Sequence, residues 1–132
     1  MAFALKGEKE TITLTTVVSV RYENNPTRPP KRVTFETKWK TLKVEESQVL
    51  RERFAEDPDE VVTAMKENLL GVFKLEDADS NIINIDRRTG DEASDELDEL
   101  IDTMMDNPEY RPALASSFIE SMTGIKLAVQ KN

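Results

Sequence analysis

The chain has 132 residues, 38% of them hydrophobic and 33% charged, with a formal net charge of −8, no cysteine and no histidine. That length is one domain, 1–132, large enough to bury a core. The missing residue types exclude a disulfide framework, thiolate metal sites, the usual general base and the commonest transition-metal ligand, and they suit a reducing cytosol.

Charge divides the chain unevenly. Residues 1–44 hold nine Lys/Arg against four Asp/Glu, and residues 45–132 hold nine against twenty-two. Twelve of those acids fall between Glu76 and Asp106, facing only Arg87 and Arg88. The domain is therefore read as a β-rich basic part (1–44) and a mainly helical acidic part (45–132). Met1-Ala2-Phe3-Ala4-Leu5-Lys6 is too short and too soon charged for a signal peptide. No apolar run approaches the ~20 residues of a membrane span. An intracellular protein with no membrane partner is expected.

Phe3 and Leu5 are expected to add a short strand ahead of Gly7. From Thr11 to Tyr22, Ile12, Leu14, Thr16, Val18, Val20 and Tyr22 alternate with Thr11, Thr13, Thr15, Ser19 and Arg21, which predicts a half-buried strand. Arg32 to Thr41 repeats the pattern, with Val33, Phe35, Thr37 and Trp39 inward. The proline-rich stretch Glu23–Lys31 between them cannot continue either ladder, so the two strands form a long-looped antiparallel hairpin. Its predicted core is Ile12, Leu14, Val18, Val20, Val33, Phe35 and Trp39. Lys38 and Lys40 flank Trp39 as they would a base-stacking ring. Trp39 shares the inward phase of Phe35, however, so a core role is expected, with no nucleic-acid partner.

The period changes at Glu45. Val49, Leu50 and Phe54 predict a short helix up to Glu56. Asp57-Pro58-Asp59-Glu60 reads as the cap, proline and acids of a helix start. Val61, Val62, Met65, Leu69 and Leu70 carry that helix to Gly71. Val72–Leu75 and Ile82–Ile85 predict a second, shorter hairpin around a polar turn. A helix from about Asp91 to Asp106 follows, striped by Leu97, Leu100, Ile101, Met104 and Met105. The order predicts an α+β fold: a small antiparallel β-sheet, built from an N-terminal hairpin and a second short one, packed with about four α-helices.

Few motifs carry chemistry. Asp77, Asp79 and Asn81 match the first three ligands of a calcium loop, but Ile82 replaces the turn glycine and Arg88 the bidentate glutamate. A polar hairpin turn is the better reading. Thr89-Gly90-Asp91-Glu92 has capping-box spacing. No serine sits in a nucleophile elbow, and the four glycines (7, 71, 90 and 124) form no phosphate-cradling loop. No catalytic site, cofactor or metal is expected, and the chain is read as a non-enzyme.

The last helix is the most distinctive segment. Asp106 or Asn107 caps a helix that Pro108 or Pro112 opens; Tyr110, Leu114, Phe118 and Met122 recur at i, i+4, and Gly124 stops it. This proline-led, aromatic-striped helix with a short basic tail resembles the C-terminus of tailed-phage (siphophage) tail assembly chaperones. Asn107-Pro108-Glu109-Tyr110-Arg111-Pro112-Ala113-Leu114 is similar to the family's P-x-x-R-x-A-L helix start, and Thr123-Gly124 to its close. Val33-Thr34-Phe35-Glu36-Thr37-Lys38-Trp39-Lys40-Thr41-Leu42 resembles its strand of alternating aromatics and lysines, and Met1–Lys6 its opening strand. Of the family's Gly-Trp-x-Gly-Val segment only Gly71-Val72 stands here.

The resemblance implies a non-enzymatic protein of the host cell cytoplasm, absent from the mature virion, that coats the tape measure protein and keeps it soluble while tube subunits assemble. Further partners it implies are a frameshifted longer form of the chain and tail tube subunits; a homo-oligomer is the competing use of the same surface. Methionine adapts to varied surfaces, so Met104, Met105, Tyr110, Phe118 and Met122 are the expected partner contacts, rimmed by the acids of 91–106. Two alternatives remain: an acidic DNA mimic that inhibits a host nuclease, and a structural tail component.

Overall fold

A computed structural model describes residues 11–20 and 31–123. β1 (Thr11–Val20) and β2 (Lys31–Lys40) pair antiparallel in unbroken register, from Thr11 opposite Lys40 to Val20 opposite Lys31. Alternation decides which face is wet. Thr13, Thr15, Val17 and Ser19 are exposed, while Thr16 and Val18 are buried and Ile12, Leu14 and Val20 half-buried. On β2, Phe35, Thr37 and Trp39 are buried and Val33 half-buried. The expected short strand at Phe3 and Leu5, Tyr22, the proline-rich loop and Gly124 lie outside the described residues.

β3 (Leu69–Glu76) lies beside β2, and β4 (Ile82–Asp86) beside β3, giving one four-stranded antiparallel sheet in chain order. The two expected hairpins are thus halves of a single sheet, joined by the pairing of β2 with β3. Two bulges bend the second half. Leu70 is an extra residue between the pairs Trp39–Leu69 and Lys38–Gly71. A second irregularity lies between Val72 and Leu75, where Lys74 takes φ 59°. That left-handed conformation is costly for a side-chain-bearing residue. It is held by the Lys74 N–H, which donates to Asn84 Oδ1 at 2.9 Å. Between β3 and β4, Asp77 Oδ1 accepts the N–H groups of Asp79 and Asn81, each at 2.9 Å, so the polar stretch is a side-chain-stapled turn.

Helices α1 (Val44–Glu56) and α2 (Glu60–Asn68) are inserted between β2 and β3. Expectation is corrected in three places. Val49 belongs to the helical spacing of α1 but is 55% exposed. α2 stops at Asn68, whose amide donates to Ala64 O at 2.7 Å, and Leu69 and Leu70 begin β3 instead of extending the helix. The capping box expected at Thr89 does not form: Thr89 Oγ1 donates to Asp86 O at 2.8 Å, closing a short 3₁₀ turn (Arg87–Thr89), and Gly90, at φ 151°, precedes α3 (Asp91–Asp106). α4 (Tyr110–Thr123) follows. α4 packs against β1 and β2, α3 against β4, and α2 and α4 against α3. Among the described residues no helix is long and apolar enough to cross a membrane.

Candidate partner-binding surface

The α3–α4 turn is built by Asn107. Its Oδ1 accepts the N–H groups of Glu109 (2.8 Å) and Tyr110 (3.2 Å), and its carbonyl accepts the Arg111 N–H at 2.9 Å. Asn107 therefore caps the turn that leads into α4, and Pro108 stands next in that turn, where a missing N–H removes no bond. The stripe then turns inward. Leu114 and Phe118 are buried, and Phe118 stacks on Trp39 with ring centroids 5.0 Å apart and planes at 13°. Phe54 meets the same ring at 5.9 Å, and Tyr110 lies 6.2 Å from Phe35.

This packing corrects the expected contact set. Met104 (3% exposed), Phe118 (1%) and Met122 (9%) are core residues, because β1, β2 and α1 cover the stripe of α4 while β4, α2 and α4 cover that of α3. Met105 and Tyr110 are half-buried and packed at the edge of that core. Burial, and secondarily the Glu109 carboxylate, raise the Tyr110 phenol above its ordinary range. Asp102, Asp106 and Asn107 are exposed, with the Asp102 carboxylate paired to Lys66 Nζ of α2 at 2.8 Å, and Ile119 is an apolar residue of α4 that reaches solvent. Composition offers no signal for Ile119; only its place off the packed stripe sets it outside.

Two polar constructions tie the layers together. Arg87, its side chain 18% exposed, donates to Leu69 O (3.0 Å), Ser94 Oγ (2.7 Å) and Asp98 Oδ1 (2.8 Å), linking the start of β3 to α3. It is one of the two bases in the acidic run, which was the visible signal. Inside the core, the Trp39 indole N–H donates to Thr37 Oγ1 at 2.9 Å. Thr37 lies 3.2 Å from Thr16 Oγ1, which in turn bonds Ser117 Oγ on α4. An indole can only donate, so Thr37 accepts from it and spends its own proton on Thr16, or on Leu14 O at a longer 3.5 Å. The inward phase of Thr16 and Thr37, the latter two residues before a tryptophan of the same phase, is what sequence could have used to find these linked hydroxyls.

Elsewhere, Asp86 is held below the usual carboxylate range, chiefly by the backbone N–H of Arg88. Glu36 Oε2 is shielded from solvent on the outer sheet face, its charge met by Lys74 Nζ at 3.4 Å. Among the described residues no group of three or more Asp, Glu, His or Cys gathers where an ion could be held. No family model matches the chain, and no curated protein or solved structure matches it.

Proposed function

We propose that this protein is a non-enzymatic phage tail assembly chaperone, which binds the tape measure protein and keeps it soluble in the host cytoplasm until the tail tube has formed. The reading rests on the resemblance in the last helix. The observation that supports it most is the α3–α4 turn: the Asn107-Pro108 start is used as a cap, and the stripe beyond it seats the last helix on the sheet. Long helical partners expose apolar stripes that aggregate, and an acidic protein with a small adaptable apolar edge shields them while staying in solution. Met105 and Tyr110 form that edge, with Asp102 and Asp106 as its polar rim.

The test is co-expression with a tape measure protein, a long helical chain. The wild type should raise that protein's soluble fraction severalfold, and Met105→Ser and Tyr110→Ser, each shown to stay folded, should lower it. If the wild type does not raise it, the reading fails; if folded variants act as the wild type does, the contact lies away from this edge.

A further inference from the structure

The two edges of the sheet are built differently. β4 is five residues long, follows a bulge and ends in Asp86. Short length, bulges and charge are the devices that keep an edge from pairing with another chain. β1 has none of them. It is ten residues long, TITLTTVVSV, with no charge, proline or glycine, and its ladder with β2 has no register shift. Among the described residues nothing pairs with its outer side, toward which alternate residues of an antiparallel strand direct their N–H and C=O groups.

We propose that β1 is a self-association edge, at which β1 of a second copy pairs antiparallel to extend the sheet from four strands to eight. The chemistry of the strand selects this occupant. A charged peptide finds no counter-charge on β1, whereas two copies meet there without opposing like charges despite a net charge of −8. A two-fold axis normal to the sheet sets Thr15 across from Thr15 or Val17 of the other copy. That keeps inward residues opposite inward ones and places both α4 helices on the same side of the joined sheet. A strip ten residues long and one sheet thick buries roughly 700 Å² in all, below the ~1,200 Å² of a standard stable interface, so the dimer is weak and concentration-dependent. This inference is independent of the chaperone reading.

The experiment is sedimentation velocity on the full chain, in a series reaching about 500 μM. The wild type should pass from monomer to dimer. Thr15→Lys/Val17→Lys puts like charges across the joint and should weaken association about tenfold, as should Thr15→Glu/Val17→Glu; an equimolar mixture of the two should recover it. Thr15 faces Glu36 across the β1–β2 ladder, so circular dichroism must first show both variants folded. Thr34→Lys, on the exposed face of β2, should leave association unchanged. A wild type that stays monomeric, or dimers indifferent to the charges on β1, would overturn the proposal. So would dimerisation that appears only after residues 1–10 are deleted, which would mean the chain covers its own edge.

Discussion

Replacing Thr37 by valine removes one hydroxyl from the centre of the core and changes little else in shape. Thr37 is fully buried, and its Oγ1 is the acceptor for the Trp39 indole N–H at 2.9 Å. Valine leaves that donor with no partner in a dry site and breaks the link to Thr16. A net hydrogen bond is worth about 1 kcal/mol, and an orphaned buried donor costs about 1–2 kcal/mol more, so the expected loss is roughly 2–3 kcal/mol. For a domain of this size that lowers Tm by about 8–12 °C. Urea unfolding followed by circular dichroism measures it, and Trp39, the single tryptophan, supplies a fluorescence probe inside the site. Thr34→Val, on the exposed face of the same strand, is the control and should stay within about 0.5 kcal/mol of wild type. Thr16→Val and Ser117→Ala should each cost about 1 kcal/mol, and the double variant less than their sum, since each removes the other's partner. If Thr37→Val costs no more than Thr34→Val, the hydroxyl chain contributes nothing and its reading is wrong.

Phe118→Ala should destabilise by about 3–5 kcal/mol, because the ring is buried between Trp39 and Phe54; a chemical-denaturation shift under 1 kcal/mol would return Phe118 to the surface. Gly71→Ala should cost about 1–3 kcal/mol, since a Cβ there would meet the Ile85 carbonyl oxygen at 2.9 Å, and an unchanged urea midpoint would refute that crowding. Tyr110 imposes a pH dependence with a definite sign. Its phenol ionises later in the folded than in the unfolded chain, so its contribution is complete below about pH 10 and is lost as pH rises beyond that. The fall in stability between pH 9 and pH 11 should be smaller in Tyr110→Phe than in wild type, and equal slopes would contradict it.

Sequence alone determined the local elements. Alternation over Thr11–Val20 and Lys31–Lys40 has only one regular reading, because side chains of a strand point to opposite faces at period two. The start of α4 was legible as a choice between Asp106 and Asn107 with Pro108 or Pro112, and the structure uses Asn107, whose side chain satisfies the helix N-terminus with atoms close in the chain. Tertiary structure decided whatever depends on partners distant in sequence. Leu69 and Leu70 fit a helix stripe as well as a strand, and it is β2, thirty residues earlier, that draws them into the sheet by offering ladder hydrogen bonds and the ring of Trp39 to cover. Met104, Phe118 and Met122 carry the same apolar pattern whether a stripe faces a partner or its own domain. Periodicity reports that a face is apolar, not what covers it, and here the cover is assembled from β1, β2 and α1 over α4 and from β4, α2 and α4 over α3, which only the folded chain brings to those places.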